Sequence, residues 1–326
     1  MMHLLALKER VSAIASYFDT SRRVIYVDYP LHTNVGDLLI NLGCEQFFID
    51  QGLNIWKRYN YYDFPKTIRR ICKDDVFLLH GGGNFGDIWF NFQSFRESIL
   101  EQYPENRIIF LPQTVHYRSR ERLAASVRKI SAHKNLHVFA RDFISLEKLQ
   151  RAGLTCVSAA PDTAHALVGV LKPSGAKIKD SELWLVRQDK EASAPPPSLS
   201  GATKTTIDWD QGTFSFSKRM LHPFIVNTVK GVGRYGPSID LHRLWYWHRD
   251  KMVADGVSLF SRYETIVTNR LHAMLLGLLL HRKVSAWDNS YGKLSAYYES
   301  WLRDIPHLNF FREPLGDQPE LETVTV

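Results

Sequence analysis

A glycine-rich segment in the first half of the chain has the composition of a ligand-binding loop. It reads His80-Gly-Gly-Gly-Asn-Phe-Gly-Asp87 and follows the apolar run 76–79, which is typical of a buried strand. Three consecutive glycines lose much backbone entropy on folding, so they indicate a turn that needs positive φ or a ligand close to the backbone. Asn84 and Asp87 would then lie beyond the carboxyl end of a parallel strand, where open α/β sheets bind ligands. A tight strand-to-helix turn without a ligand is the alternative.

A second candidate is the segment Thr268-Asn-Arg-Leu-His272, which joins a β-branched run to an apolar helix. Thr268 or Asn269 can cap that helix, which places Arg270 and His272 in its first turn. Cations in a first turn disfavour the helix by about a few tenths of a kcal/mol each. A bound phosphate or carboxylate would compensate them, whereas the alternative is a surface arginine and a core-facing histidine.

Two further segments are weaker candidates. Arg187 follows the apolar run 183–186, and its planar guanidinium suits a carboxylate or phosphate, although pairing with a nearby acidic residue is equally compatible. The segment Asn34-Val-Gly-Asp37 opens a helix, and free N–H groups at a helix N terminus favour an anion. Simple N-capping by Asn34 or Asp37 explains the same residues equally well.

The elements that position these residues alternate between strands and helices. Strands are predicted at 24–28, 52–58, 76–79, 108–111 and 136–140, with polar groups such as Arg141 following their carboxyl ends. Near-continuous apolar strands separated by helical patterns indicate a parallel, doubly wound sheet. A linker-like stretch at 171–180 precedes a second set of strands at 183–186, 206–209, 265–267 and 283–287. The sequence therefore predicts an α/β fold with an N-terminal Rossmann-like domain (1–172) and a C-terminal one (181–326), whose tail packs back on the first domain.

Composition narrows the class of protein. The 326 residues carry 41 basic and 34 acidic side chains, a net charge of +7, without a nucleic-acid-binding motif, so we expect no nucleic-acid partner. A basic surface equally suits anionic small molecules or an anionic membrane face. The longest apolar run, 273–280, is too short to span a bilayer. The aromatic and basic segment 242–249 is compatible with peripheral membrane contact or with a place in the core.

Cysteine usage indicates a reducing compartment. Cys44, Cys72 and Cys156 are odd in number and widely spaced, and no histidine lies at metal-ligand spacing from them. We therefore expect reduced thiols in a cytoplasmic protein, with no structural metal.

Taken in order, five motifs resemble those of the polysaccharide pyruvyl transferase family, over about residues 24 to 300. They are Asn34-Val-Gly-Asp37, His80-Gly-Gly-Gly-Asn-Phe-Gly-Asp87, Ala140-Arg-Asp142, Val186-Arg-Gln-Asp-Lys-Glu191 and Val267-Thr-Asn-Arg-Leu-His-Ala-Met274. The resemblance implies two Rossmann-like domains with parallel sheets facing a central cleft, as in GT-B glycosyltransferases. It also implies transfer of the pyruvyl group of phosphoenolpyruvate to a sugar as a ketal, with phosphate released and without a cofactor.

Residue roles follow from the resemblance together with the motifs. Asp87, Arg270 and His272 are expected to be catalytic, with His272 and Asp87 suited to donate and accept protons, although the sequence does not decide which does which. The expected substrate-binding residues are Arg187, Leu271, Asn269, Gly82, Gly83, Asn84, Asn34, Asp37 and Arg141.

Two other functions fit the same residues. A nucleotide-sugar glycosyltransferase of the same fold would hold a diphosphate at the two glycine-containing turns. A catalytically silent sugar- or anion-binding protein is the third possibility. The expected acceptor is a glycan of an exopolysaccharide or capsule repeat unit, attached to a lipid, so a peripheral position at the inner membrane face is a further hypothesis. The acceptor sugar and the oligomeric state are left open by the sequence.

Overall fold

We analysed a computed structural model that describes residues 1–65, 68–186, 204–207, 216–233, 242–288 and 292–312. Arg187 and most of the proline-rich segment 192–204 lie outside the described residues, as does the chain after residue 312.

The first half of the chain forms a parallel sheet of seven strands, ordered β2-β1-β3-β5-β6-β7, with β4 paired to β5. The strands are β1 (Arg23–Val27), β2 (Asn54–Tyr59), β3 (Val76–Leu79), β4 (Gly82–Gly86), β5 (Arg107–His116), β6 (Leu136–Ala140) and β7 (Val157–Ala159). The helices are α1 (Met2–Ser12), α2 (Val35–Asp50), α3 (Phe90–Gln102), α4 (Arg120–Ser131) and α5 (Phe143–Arg151), and a 3-10 helix spans Thr163–Leu167.

The second half forms a parallel sheet of five strands, ordered β12-β11-β10-β8-β9. Its strands are β8 (Glu182–Leu185), β9 (Lys204–Ile207), β10 (Thr265–Thr268), β11 (Lys283–Trp287) and β12 (Leu308–Phe311). Its helices are α6 (Phe216–Gly233), α7 (His242–Ser261), α8 (Leu271–Leu279) and α9 (Lys293–Tyr297), the last continued by a π-helical turn, Tyr298–Leu302. The prediction of an α/β chain with parallel sheets is confirmed, while the domain boundaries and the GT-B-like arrangement stay predictions.

Helix α2 joins the two sheets because apolar side chains cover most of its surface. Leu38 and Phe47 are buried in one core cluster that also contains Met274 of α8 and Val257 of α7. At Gly43 the helix meets the segment after β7, since a methyl group there would lie 2.2 Å from the carbonyl oxygen of Thr163. The packing of α2 therefore fixes the ends of strands from both sheets relative to each other.

The triple-glycine segment differs from the sequence prediction of a turn. Residues Gly82–Gly86 form strand β4, which pairs with the carboxyl half of β5. Gly82 and Gly86 have φ of 122° and 143°, and a methyl group at Gly86 would lie 1.7 Å from the carbonyl oxygen of His116. Only glycine fits at Gly86, because the two strands pair closely there and φ is positive. The glycine at this position is therefore explained without a ligand close to the backbone.

The aromatic segment 242–249 is divided between the core and the surface. Trp245 has no exposed surface, and His248 and Arg249 are also buried, whereas Trp247 is 51% exposed. Arg249 donates from Nη1 to Oδ1 of Asn41 on α2, a bond of 2.7 Å. Peripheral membrane contact stays a hypothesis that rests on few exposed side chains. Across the part of the chain that the structure describes, no helix combines the length and the apolar character needed to cross a membrane.

Candidate active site

A cavity of about 620 Å³ opens where the carboxyl ends of strands from both sheets converge. This is the position at which open parallel sheets bind ligands. Its volume lies within the range of small-molecule sites. The wall combines strand-end residues, the N terminus of α2 and aromatic side chains, and consists of Asp28, Tyr29, Pro30, Leu31, His32, Asn34, Asp37, Asn60, Tyr61, Tyr62, His80, Gly81, Gly83, Asn84, Trp89, Phe92, Arg141, Lys230, Arg270, Leu271, His272, Lys293 and Leu294.

One side of the cavity is built on a buried carboxylate, Asp162, which follows β7 and is 1% exposed. Its Oδ2 accepts a hydrogen bond from Nη1 of Arg141 at 2.9 Å and lies 3.3 Å from Nε2 of His272. Burial alone raises the pKa of Asp162, but the hydrogen bond and charge of His272, followed by the charge of Arg141, lower it to a net value below its usual range. Asp162 is therefore ionised at neutral pH and orients the side chains of Arg141 and His272.

Part of the Arg141 guanidinium is available to a ligand in the cavity. Its Nε donates to the hydroxyl of Thr114 at 3.0 Å, and its Nη1 donates to Asp162. Nη2 makes no hydrogen bond to the described residues, and it lies 3.6 Å from the position that a Cβ at Gly83 would occupy. This nitrogen can donate to an anion in the cavity without breaking an existing bond.

His272 is held from a second side by Gly36, in the first turn of α2. A methyl group at Gly36 would lie 2.6 Å from Nδ1 and 2.9 Å from Cβ of His272, closer than real side chains approach. The Asn34-Val-Gly-Asp37 segment thus serves the site through its glycine as well as through its helix N terminus. Asn34 caps that helix by accepting a hydrogen bond from the N–H of Gly36 at 3.0 Å.

Replacing Gly36 with alanine is therefore expected to displace the imidazole of His272 and to lower activity about 10²-fold, the usual effect of moving a reacting group by about 1 Å. Helix α2 should stay folded, because alanine is a good helix former. The measurement is the steady-state rate together with the thermal midpoint of unfolding.

The matched control is Gly231→Ala in helix α6, where an added methyl group meets nothing within 4 Å. This variant should keep wild-type activity. Equal activity of the two variants would show that the contact with Gly36 does not position His272.

Elsewhere in the site, a fully buried arginine connects the end of β1 with strand β4. Arg96 of α3 donates from Nη2 to Oδ2 of Asp28 at 3.1 Å, and also to Oδ1 of Asn84. Its Nη1 donates to the carbonyl oxygen of Asn84 at 3.2 Å. Asp28, which follows β1, is 4% exposed and has a φ of 69°, a conformation that side-chain-bearing residues rarely adopt. Burial raises the pKa of Asp28 to about 7, although Arg96 opposes that rise.

His80 supplies a neutral imidazole at the end of β3. Its Nδ1 lies 2.6 Å from the hydroxyl of Tyr26, which in turn accepts a hydrogen bond from Asn41. Burial lowers the pKa of His80 to about 3, so the ring is uncharged at neutral pH. A neutral ring beside the cavity adds hydrogen-bonding capacity without adding charge.

Most of the site residues that were predicted from the sequence line this cavity. Those that line it are Arg270, Leu271, His272, Arg141, Gly83, Asn84, Asn34 and Asp37. Gly82 and Asn269 do not line it, and Asn269 is completely buried. The first residue before α8 is Arg270 in extended conformation, and its N–H donates to the hydroxyl of Thr268 at 3.0 Å. The placement of Arg187 lies outside the described residues.

Asp87 does not line the cavity. Because Gly86 pairs with His116 at the end of β5, Asp87 lies beside the residues that follow that strand. Its Oδ1 accepts from the N–H of Arg118 at 3.0 Å, and its Oδ2 lies 3.2 Å from Nη1 of Arg122. These bonds engage both carboxylate oxygens in holding neighbouring chain segments, so its catalytic role is a prediction that the geometry does not favour.

The sequence interpretation missed several residues of the site. Asp28 ends a predicted strand, which was the available signal, but its partner Arg96 is 68 residues away in the chain. Asp162 follows β7, a strand that was not predicted, and its partner His272 is 110 residues away. The aromatic wall was also missed, since its members come from two segments far apart in the chain: Tyr61, Tyr62, Trp89 and Phe92. Among the described residues, no group of three or more His, Cys, Asp or Glu side chains is arranged to hold a metal ion. Independence from metals and cofactors stays a prediction.

Comparisons with known proteins identify the family. Residues 34–291 match the model of the polysaccharide pyruvyl transferase family. The chain is 32% identical to a Bacillus subtilis (strain 168) protein named "Putative pyruvyl transferase EpsO", over 93% of this chain and 92% of that protein. It is 24% identical to pyruvyl transferase 1 of Schizosaccharomyces pombe, over 88% of this chain and 71% of that one.

A solved structure supports the fold. The crystal structure of KP1_0663 from Klebsiella pneumoniae, whose function is uncharacterized, superposes with a TM-score of 0.59 at 18% identity. The match covers 94% of this chain and 98% of the other. Because its identity is low, this likeness bears on the fold alone. The family match over most of the chain, with the EpsO relative above, shows that the chain belongs to the polysaccharide pyruvyl transferase family.

Proposed function

We propose that this enzyme transfers the pyruvyl group of phosphoenolpyruvate to two hydroxyls of a sugar, forming a ketal and releasing phosphate. The observation that carries the proposal is the meeting of Arg141, Arg270 and His272 in one cavity that is also lined by aromatic side chains. Phosphoenolpyruvate bears a phosphate and a carboxylate, and a site for it needs at least two cationic groups. A sugar needs hydroxyl partners and an apolar face.

The donor is proposed to bind between Arg141 and Arg270. Nη2 of Arg141 is available to an anion, and Arg270 immediately precedes helix α8, whose first N–H groups also favour negative charge. His272 is the second residue of the same helix and is oriented by Asp162. We propose that His272 donates the proton that the methylene carbon of phosphoenolpyruvate accepts.

The acceptor is proposed to lie against the aromatic wall formed by Tyr61, Tyr62, Trp89 and Phe92. Trp89 is 57% exposed and lines the cavity, so its indole ring is open to a ligand there. A second cavity of about 630 Å³ shares Tyr61, Tyr62 and Lys230 with the first. It offers space for further units of an oligosaccharide, including one attached to a lipid.

The test is incubation of the protein with phosphoenolpyruvate and a panel of hexose methyl glycosides. We expect phosphate release that depends on the glycoside, and a sugar product heavier by one pyruvate less one water. Release without dependence on any sugar would contradict the proposal. Consumption of a nucleotide sugar instead, in a parallel incubation, would indicate glycosyl transfer.

Replacing Trp89 with alanine is expected to raise the KM for the acceptor about tenfold, which corresponds to about 1.4 kcal/mol of lost binding. The KM for phosphoenolpyruvate should change little, because the cations of the donor site lie elsewhere in the cavity. Both constants are measured from initial rates of phosphate release.

Phe90→Ala is the matched control. Phe90 is adjacent in sequence and 66% exposed but does not line the cavity. Its substitution should leave both KM values unchanged. Similar effects of the two substitutions on the acceptor KM would argue against the aromatic wall as the sugar site.

A further inference from the structure

We propose that Asp28 is a catalytic residue of this site, and that its carboxylate takes the proton from the sugar hydroxyl that attacks the pyruvyl carbon. The inference rests on the proposed function, since it names the group that activates the acceptor. It is carried by the geometry of Asp28 at the end of β1.

The first observation is the position of the carboxylate. Asp28 lines the cavity and yet is 4% exposed, so the cavity is its opening to solvent. Oδ2 is bonded to Arg96, whereas Oδ1 makes no hydrogen bond to the described residues. One oxygen is thus anchored and the other can accept a proton from a ligand.

The second observation is the conformation that holds it there. Asp28 has a φ of 69°, and such backbone strain in a non-glycine residue persists only where the surrounding structure imposes it. Its N–H donates to the carbonyl oxygen of Tyr59 at 2.8 Å, and its side chain is clamped by Arg96, which is itself 0% exposed. Arg96 also holds Asn84, so the carboxylate and the glycine-rich segment are positioned by one guanidinium.

The third observation is that Asp28 lies on the acceptor side. Tyr29 and Asn60 line the cavity next to it, and Asn60 precedes the aromatic residues Tyr61 and Tyr62. Asn60 donates from Nδ2 to the hydroxyl of Tyr29 at 2.9 Å. A sugar on the aromatic wall would therefore present hydroxyls to the polar corner of Tyr29 and Asn60, next to the carboxylate of Asp28.

The proton balance closes over two steps. In the first, the hydroxyl oxygen bonds to C2 of phosphoenolpyruvate as its O–H bond breaks, the proton passes to Asp28, and C3 takes a proton from His272. In the second, the C2–O bond to phosphate breaks with its electron pair, and the leaving phosphate takes the proton from Asp28. The second hydroxyl bonds to C2 and gives its proton to His272, which restores both side chains.

The electrostatic setting suits a proton acceptor at neutral pH. Burial raises the pKa of Asp28 to about 7, against the opposing charge of Arg96. A base whose pKa lies near the working pH transfers protons efficiently. The other titratable or charged side chains that line the cavity are His32, Asp37, His80, Arg141, Lys230, Arg270, His272 and Lys293, together with the tyrosines Tyr29, Tyr61 and Tyr62.

The test compares Asp28→Asn with wild-type protein, using phosphoenolpyruvate and whichever hexose methyl glycoside supports the fastest phosphate release. Because the base must be ionised, wild-type kcat/KM for the acceptor should rise with pH. This ascending limb of the pH–rate profile should be centred near the pKa of Asp28, about 7. In Asp28→Asn we expect the rate to fall by about 10²-fold or more and the limb to disappear. The dissociation constant of phosphoenolpyruvate, measured by calorimetry, should stay within about threefold of the wild-type value. A lost contact worth about 1.4 kcal/mol would change it tenfold.

Asp63→Asn is the matched control. Asp63 is also a carboxyl whose pKa burial raises to about 7, and it is bonded to Asn60 and Tyr29, but it does not line the cavity. Its substitution should leave the ascending limb of the pH–rate profile in place.

If Asp28→Asn fails to fold, the ascending limb of the wild-type enzyme is measured at two temperatures. A carboxyl ionises with almost no heat, so its pKa hardly changes with temperature, whereas the pKa of an imidazole does change.

The outcomes separate the two proposals. Absence of glycoside-dependent phosphate release from wild-type protein would overturn the proposed function and this inference with it. Wild-type turnover together with an unchanged limb in Asp28→Asn, or a limb that shifts with temperature as an imidazole does, would overturn the role of Asp28 alone. Loss of the limb in Asp87→Asn but not in Asp28→Asn would assign the proton acceptor to Asp87.

Discussion

The Arg270→Ala variant is expected to fold normally and to lose about 10²- to 10³-fold of its pyruvyl transfer activity, the usual cost of removing one group that stabilises developing charge. Arg270 lies in the cavity wall and is followed directly by helix α8, so its side chain contributes to the site without being part of the apolar core. Both kcat and the affinity for phosphoenolpyruvate should fall, since an arginine that binds phosphate or carboxylate acts in the ground state and in the transition state.

His272→Gln should separate binding from proton transfer. Glutamine keeps a hydrogen-bond donor near Asp162 but cannot supply a proton, so we expect kcat to fall about 10²- to 10⁴-fold with a smaller change in donor affinity. Arg151→Ala is the surface control, because that side chain is 77% exposed and pairs with Glu147 within one helix.

A folded Arg270→Ala protein with wild-type turnover would show that Arg270 takes no part in the reaction.

Much of the fold followed from local pattern. The strands at 76–79, 136–140 and 283–287 were predicted at their observed positions, because continuous apolar or β-branched runs between helical patterns are characteristic of buried parallel strands. The site residues Arg141 and Arg270 were found for the same reason. Each follows a strand at its carboxyl end, and the topology of a parallel sheet brings those ends together.

What the sequence did not show depends on contacts between distant residues. Strand β4 was not predicted, because Gly82–Gly86 has low strand propensity and is held by pairing with β5. That pairing also moves Asp87 away from the cavity and towards Arg118. Likewise Asp162 meets Arg141 at the ends of two neighbouring strands of the first sheet, but its contact with His272 arises only when the second half of the chain packs against the first.

Replacing Asp162 with asparagine is expected to reduce both stability and activity. The substitution removes the charge that faces Arg141, whose side chain is 4% exposed, and leaves a buried cation without its partner. Breaking a buried pair in this way costs about 3–5 kcal/mol of unfolding free energy. Activity should fall as well, because His272 loses the carboxylate that orients its imidazole.

The dependence of this loss on pH gives the prediction a second readout. The pKa of Asp162 is lowered in the folded protein, since the hydrogen bond and charge of His272 and the charge of Arg141 outweigh the effect of burial. A lowered pKa contributes stability that is fully present above the unfolded pKa of a carboxyl and is lost as the pH falls through the folded value. The difference in unfolding free energy between wild type and Asp162→Asn should therefore be constant near neutral pH and shrink as the pH falls from the unfolded pKa of a carboxyl towards the lower folded value.

Urea unfolding at neutral pH and at a series of acidic pH values measures this difference directly. Asp19→Asn is the matched control, because the pKa of Asp19 is also lowered, chiefly by hydrogen bonds from Ser21, but its side chain is 54% exposed where it pairs with Arg22. An exposed pair of this kind contributes little to stability, because water screens the two charges. If Asp162→Asn proves as stable as Asp19→Asn and keeps wild-type turnover, then Asp162 holds neither Arg141 nor His272, and the cationic side of the cavity must be supported by other groups.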